Sequence, residues 1–559
     1  MTYFFQNTTK DLVPETVDGF LQYASTPVAK LDVGNPLINV VVRPDWTKEK
    51  ADKQVAIISG GGSGHEPMHA GFVGEGMLTA AVCGGLFASP SYEAVLSTIL
   101  HVAGNAGVFV IVKAYTGDCL IFGLAVEKAK ALGVKVEMII FSDDISIPDH
   151  PRPRGLAGTI LMHKICGYYA EQKKSLEEIK NIAQLVMESI RTIGVSLTSC
   201  RLPTATGNDN RVKPNHAELG LGIHGEPGVE VIDTQNVEKI IDIMVKKLTT
   251  PFPNKKESNL PIAILINNLG GTSNLEMGII CSSLLKHSYV KEHSELLIGP
   301  ATLCTSLDMK GFSITFISLQ SGFADALKST VHTAGWVNPV QIHTPIVVPG
   351  RNQGNLGKKK FTPSQNEKVE FILRTICNTT IENEAKLNEL DSFTGDGDTG
   401  LTFASGSRSI LAVLEKKELP LNDLPELFEN IAEILGVSMG GSSGILLSIL
   451  MLQTASAMRG GKNLQTGLVE GVHKMMELGG AKLGFRTMID SLLPAVEALK
   501  DGVEKAAVAA EEGAEKTKNM EKAGAGRSTY LNAESLKGHP DAGACGVAIV
   551  FRALADKLK

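Results

Sequence analysis

The chain has 559 residues, of which 43% are hydrophobic and 20% charged, and a formal net charge of −6. That length exceeds one ordinary core and predicts two to four domains, and the composition is that of a globular enzyme, neither disordered nor fibrous. The modest acidic balance offers no bulk attraction for nucleic acid or an anionic membrane surface, and neither is expected as a partner.

At the N-terminus, MTYFFQNTTKDLV has no basic segment leading into an apolar run, so no secretory leader is expected. No uncharged apolar stretch reaches the ~20 residues that span a membrane. The eight cysteines are scattered without CxxC or zinc spacing, which suits reduced thiols and a cytoplasmic location. Val55 to Ser59, Val108 to Val112 and Val134 to Phe141 read as buried strands, with a helix-compatible segment over 120–132. Strands alternating with helices predict an α/β unit over 1–190. GVSLTSC, VEVID, IAILINN and SITFISL predict a second α/β unit over 191–340. The proline-, glycine- and lysine-rich segment 341–365 reads as a linker. Beyond it the period becomes helical. Leu424, Leu427, Phe428, Ile431, Ile434 and Leu435 share one face behind a capping box of Asp423 and Glu426. Leu464, Leu468, Val472 and Met475 form a second face, and Phe485, Met488, Leu492, Ala495 and Leu499 a third. Residues 366–559 are therefore expected to be all-helical.

Candidate chemistry falls in two separated groups. GGGSGHEP, residues 60–67, follows the strand VAIIS, and its glycines leave backbone N–H groups free to surround something small. It lacks the Walker and dinucleotide spacings. His65 stands in it and His69 follows; Lys113 and Asp118 come in VKAYTGD, after another strand, where α/β folds keep their sites. GIHGEPG holds His224, whose neutral imidazole is both a nucleophile and a proton carrier. A ligand-free glycine turn, or a zinc site of His65, His69 and Asp118, would use the same letters.

In the helical part, LDSFTGDGDTG crowds Asp391, Asp396 and Asp398 together, an arrangement that repels itself without a hard cation. The calcium-loop pattern does not fit, so magnesium with phosphate oxygens is the better match. An exposed acidic turn is the plain alternative. MGGSSG, with Ser442 and Ser443, precedes the apolar run ILLSILML, and a helix beginning there offers an anion site or simply a serine cap. GAGRSTYLNAESLKGHPDAGA carries Arg527 and Asp541 in a glycine-rich stretch suited to a mobile nucleotide cover.

These motifs, with GFRTMID, occur in the order found in the single-chain, ATP-dependent dihydroxyacetone kinases, and the chain resembles that family over essentially its whole length. The resemblance implies an α/β half that binds a triose and a C-terminal barrel of antiparallel amphipathic helices that binds ATP. It implies that His224 bonds covalently to the carbonyl carbon of dihydroxyacetone as a hemiaminal. Gly62, Ser63, Gly64, His65 and Lys113 would line the substrate pocket, and Asp118 would accept the proton of the attacking hydroxyl, with His65 assisting. Asp391, Asp396 and Asp398 would hold Mg2+. Asp398, Thr399, Gly400, Leu401, Ser442, Ser443, Gly480, Thr487, Met488, Arg527, Asp541, Ala542 and Gly543 would hold the nucleotide. D-glyceraldehyde as a further substrate and a homodimer are also implied; some relatives of this layout cleave FAD as well. Two local departures stand out: Ala114 where asparagine is expected, and Ala542 in DAGA where proline is commoner, which would loosen the cover.

Overall fold

The computed structural model describes residues 4–559 apart from 36–37, 149, 151, 204–210, 235, 253–254, 256–258 and 351–360. The middle of the expected linker, 351–360, lies outside the described residues. The chain divides into two compact units, Met1–Val347 and Val348–Lys559.

The first unit is mixed α/β. Six strands, β1 Ala29–Lys30, β2 Asn39–Val42, β3 Ala56–Ser63, β4 Ala80–Leu86, β5 Val108–Lys113 and β6 Val136–Phe141, form one sheet in the order β1-β2-β4-β3-β5-β6. Seven more, β7 Ile190–Ser196, β8 His216–Leu219, β9 Glu230–Asp233, β10 Ile262–Asn268, β11 Ser294–Ala301, β12 Gly311–Ser318 and β13 Val340–Gln341, form a second in the order β13-β11-β10-β12-β7-β8-β9. The central strands of the first sheet run parallel, and their apolar runs are buried on both faces, as parallel sheets require.

The glycine run reads from sequence as a turn that ends a strand, but Gly60, Gly61 and Gly62 continue β3 as its C-terminal half. The reason is crowding. A Cβ at Gly60 would lie 2.4 Å from the carbonyl oxygen of Val82 on β4, and one at Gly62 2.8 Å from the backbone nitrogen of Ala88. Only glycine lets the backbones approach this closely.

One apolar cluster crosses both sheets. It joins Ile57, Phe109 and Phe141 of the first to Leu265, Ile298 and Ile317 of the second, through Ile179, Ala183 and Val186 of the helix Leu176–Ser189. Asp143, just past β6, adds a polar tie. Its buried carboxylate accepts from the backbone N–H groups of Leu156 and Gly158 and from the hydroxyl of Thr192 on β7. Burial pushes its pKa up to about 6, against the pull of those donors.

The second unit is a helical bundle. The helices Glu367–Glu382, Glu384–Ser392, Thr399–Glu415, Leu424–Ser438, Gly441–Arg459, Leu464–Gly479, Ile489–Ala498, Val503–Thr517 and Ala542–Lys557 make up most of it. Asp423 caps its helix by accepting the N–H of Glu426, the half of the expected capping box that forms. Phe485, read as part of a helical face, lies before the helix Ile489–Ala498, because Asp490 draws in the N–H groups of Gly484 and Thr487 and fixes a loop there.

The helix Gly441–Arg459 is long and apolar enough by length and composition to cross a membrane, which corrects the sequence expectation of no such stretch. It packs instead between the helices Leu424–Ser438 and Leu464–Gly479. Its Leu447, Leu450 and Met451 help line an apolar cavity of about 440 Å3, which accounts for its hydrophobicity.

Replacing Asp143 with alanine leaves the buried N–H groups of Leu156 and Gly158 without an acceptor, while Thr192 Oγ1 can still pair with Thr315 Oγ1. It is expected to cost about 2–4 kcal/mol of unfolding free energy, read by denaturant unfolding of the full chain.

Candidate functional site

The first cluster forms where loops from the two sheets meet. β3 delivers His65, which is fully buried, and the β8–β9 connection delivers His224, which is half-buried. Their Nε2 atoms lie 3.1 Å apart. The segment after β11 holds both loops in place. Thr305 N–H donates to the His65 carbonyl at 3.2 Å, Leu307 N–H donates to that of Gly64 at 3.1 Å, and Ser306 Oγ donates to that of Ile223. Three rings wall His224, with centroids at 4.8 Å for His65, 5.1 Å for Phe87 and 4.7 Å for Tyr115, all near perpendicular.

Hydrogen bonds fix the tautomers. His65 Nδ1 lies 2.8 Å from the Thr305 carbonyl, which only accepts, so Nδ1 carries the proton and Nε2 the lone pair. Ser59 Oγ donates to the Ile111 carbonyl at 2.7 Å, so it accepts from His69 Nδ1 at 3.2 Å. His69 Nε2 then accepts from Lys113 Nζ at 2.9 Å. Asp118, in the first turn of the helix Thr116–Ala131, accepts from Ser89 Oγ.

Lys113, Asp118 and His69 converge on Gly61. A Cβ there would sit 3.3 Å from Asp118 Oδ2, 3.4 Å from Lys113 Nζ and 3.7 Å from His69 Nε2. Burial, and then the Lys113 charge, hold His65 and His69 well below the usual histidine range, so both are neutral. Burial also lowers Lys113, while Asp118 opposes that shift. These geometries use His65 and His69 in separate hydrogen-bond chains.

The second cluster lies in the helical unit. One carboxylate oxygen each from Asp391, Asp396 and Asp398 lies within 4.8 Å of the others. Asp391 ends the helix Glu384–Ser392, and its Oδ2 accepts the N–H of Asp398 at 3.0 Å and of Thr399 at 3.3 Å, which closes the loop. Asp398 is the N-cap position of the helix Thr399–Glu415, so Thr399, Gly400 and Leu401 form its first turn. Gly400 has no room for a side chain, since a Cβ would lie 2.0 Å from the Glu384 carbonyl oxygen. Arg527 pairs with Asp396. The all-oxygen, three-carboxylate donor set fits Mg2+, and the Arg527 pairing marks the place as one that draws a cation.

Ser442 and Ser443 lie in the first turn of Gly441–Arg459, and among the described residues no hydrogen bond joins them to the carboxylates. Gly480 ends the helix Leu464–Gly479 in the left-handed region, with φ +70°. Asp541 and Met488 approach each other: a Cβ at Gly543 would meet Asp541 Oδ1 and Met488 Cβ, each at 3.2 Å. Ala542 opens the helix Ala542–Lys557, which Asp541 caps by accepting from Ala544 N–H at 2.8 Å, and Thr517 Oγ1 accepts from Asp541 N–H at 2.9 Å. These bonds hold the segment without a proline.

Sequence comparison decides the family. The Dak1 domain matches residues 28–335 and the DAK2 domain residues 393–556. The dihydroxyacetone kinase of Citrobacter freundii is 47% identical over 562 residues, covering 100% of this chain and 99% of that protein. The chain belongs to the single-chain, ATP-dependent dihydroxyacetone kinase family. The triokinase/FMN cyclase of Mus musculus is 36% identical, with 96% of each chain covered. The crystal structure of the C. freundii kinase in complex with AMP-PNP and Mg2+ matches at a TM-score of 0.67 and 45% identity, with 100% of both chains covered.

Several participants in this kinase fold had no role in the sequence reading. Glu226 was visible in GIHGEPG, but its contact with His224 depends on how the loop turns. Thr305 and Ser306 sit in a segment without any motif. Arg486 is fully buried beside Thr487 and donates to the His539 carbonyl at 2.6 Å, and His539 stacks on Phe393 with centroids 4.4 Å apart.

Gly61→Ala puts a methyl among Asp118, Lys113 and His69. It is expected to lower kcat/KM for ATP-dependent triose phosphorylation about tenfold or more, in steady-state kinetics, and to lower the melting temperature as well, because Gly61 has φ +152°, which an L-residue rarely adopts.

Proposed function

We propose that the chain transfers the γ-phosphoryl group of ATP to dihydroxyacetone, giving dihydroxyacetone phosphate, with D-glyceraldehyde as a further substrate. The observation that carries this is the His65–His224 pair inside a ring-walled pocket, Nε2 to Nε2 at 3.1 Å, beside the Lys113 and Asp118 side chains gathered at Gly61.

In this reading His224 bonds to the carbonyl carbon as a hemiaminal, which a ketose can form and glycerol cannot. The backbone of Gly62, Ser63 and Gly64 borders the triose, and Lys113 donates to one of its oxygens. Asp118 accepts the proton of the attacking hydroxyl, and His65 carries protons at the carbonyl end. The Tyr115 hydroxyl, buried and without a hydrogen-bond partner among the described residues, would bond to a triose oxygen entering beside His224.

In the helical unit Asp391, Asp396 and Asp398 hold Mg2+, and Thr399, Gly400, Leu401, Ser442 and Ser443 offer helix N-terminal N–H groups and hydroxyls to the phosphates. Gly480, Thr487, Met488, Arg527, Asp541, Ala542 and Gly543 border the rest of the nucleotide. When bound, Mg2+ATP supplies the phosphoryl group and the neutralising charge that phosphoryl transfer needs. The helices close into an antiparallel barrel, a reading supported by Glu367–Glu382 packing on both Thr399–Glu415 and Ala542–Lys557. We place the enzyme in the cytoplasm as a homodimer; all eight cysteines are free.

Purified protein with Mg2+ATP is expected to release ADP when given dihydroxyacetone and not when given glycerol; equal rates with both would defeat the reading. Asp396→Ala is expected to weaken Mg2+-dependent AMP-PNP binding by at least about tenfold while leaving triose capture intact, as read by calorimetry and native mass spectrometry.

A further inference from the structure

His224 has its ring held from both sides. Glu226, two residues on, turns its carboxylate back: Oε2 accepts the His224 backbone N–H at 2.9 Å, and Oε1 faces ring Nδ1 at 3.3 Å. The carboxylate is closely confined, since a Cβ at Gly222 would lie 2.0 Å from Oε2. Burial raises the Glu226 carboxyl, but the hydrogen bond and charge of His224 outweigh it and bring it down to about 2, so it is ionised. On the other side, His224 Nε2 faces Nε2 of His65. The Nδ1 proton of His65 is committed to the Thr305 carbonyl, so His65 Nε2 is an acceptor and the proton between the two Nε2 atoms belongs to His224. With Nδ1–H facing Glu226, the His224 ring carries both protons and pairs with that carboxylate.

We infer that Glu226 is a positioning residue for covalent capture: it keeps a proton on Nδ1 of His224, makes Nε2 the attacking atom, and is the counter-ion of the ring both before and after the bond forms. The inference rests on the reading that His224 bonds to the triose carbonyl.

The step balances without any further reactant. The proton between the two imidazoles passes to Nε2 of His65. The freed lone pair on His224 Nε2 forms a bond to the carbonyl carbon, and the C=O π pair moves onto oxygen. That oxygen takes the proton from His65, which returns to its neutral form. The product is a hemiaminal whose ring is substituted at Nε2 and protonated at Nδ1, and hence cationic. A carboxylate against Nδ1–H both selects the tautomer and stabilises that cation, the same division of labour as in a carboxylate–histidine–nucleophile triad. A neutral hydrogen-bond acceptor would do neither as well, because its attraction for the charged ring is weaker.

Native mass spectrometry of the full-length chain with dihydroxyacetone reads the adduct directly. Wild-type protein is expected to gain the mass of one triose. Glu226→Gln keeps an oxygen for the His224 backbone N–H but presents an amide N–H to Nδ1, so the adduct is expected to fall at least about tenfold. In 15N spectra of the histidine ring, the wild type is expected to show protons on both Nδ1 and Nε2 and that variant a proton on Nε2 alone, a change a merely structural role would not produce. Glu226→Asp, which retains the carboxylate, is expected to recover part of the adduct and decides the matter should the glutamine variant unfold. Wild-type adduct yield in Glu226→Gln, or no recovery with aspartate, would overturn the inference. No adduct on the wild-type chain would instead defeat covalent capture by His224, and the inference with it.

Discussion

The contact between Nε2 of His65 and Nε2 of His224 joins the end of β3 in one sheet to the β8–β9 loop of the other, and the α/β unit is organised so that it can form. The two sheets share an apolar cluster, which brings their loops to one edge. The Thr305–Leu307 segment then fixes the approach by bonding to backbone groups of both loops. The bonds go mostly to backbone atoms, so the placement depends little on side-chain flexibility. Glycines along β3 let its backbone close on β4 and on the segment after it, where any larger residue would collide.

Charge inside the pocket follows from the same burial. Lys113 is enclosed with Asp118 on one side and His69 on the other, and its charge adds to desolvation in holding His65, His69 and His163 neutral. His163 packs its ring 5.3 Å from His69, and burial brings it down to about 3, so it acts there as an apolar wall. A neutral His65 with a fixed Nδ1 proton has only Nε2 free to take or give one. The pocket thus holds one proton acceptor aimed at His224 and one carboxylate aimed at the other end of the same ring.

The helical unit solves the opposite electrostatic problem, three carboxylates gathered at an exposed edge. Asp391 spends one oxygen on backbone N–H groups of Asp398 and Thr399, which anchors the loop. Arg527 neutralises Asp396. The Arg486–His539 bond and the His539–Phe393 stack tie the segments around 486 and 539 to the loop that carries Asp396 and Asp398. The apolar helix Gly441–Arg459 turns Leu447, Leu450 and Met451 to the bundle cavity.

Much of this was legible in the sequence. Apolar runs give β5 and β6 almost to the residue, and a 3.6 period gives the helices Leu424–Ser438 and Leu464–Gly479, since local patterning alone sets which face is buried. Motif order was enough to name the kinase family and to single out His65, His224 and the three aspartates. Where distant segments meet was not legible. That Gly60 to Gly62 extend β3 was set by the distance to Val82 and Ala88, and that Glu226 turns back onto His224 was set by the loop's path. The role of Thr305 follows from a backbone contact 240 residues along the chain, which no composition or spacing encodes. Residue type and period determine what chemistry each segment carries; only tertiary packing decides which lone pair faces which proton.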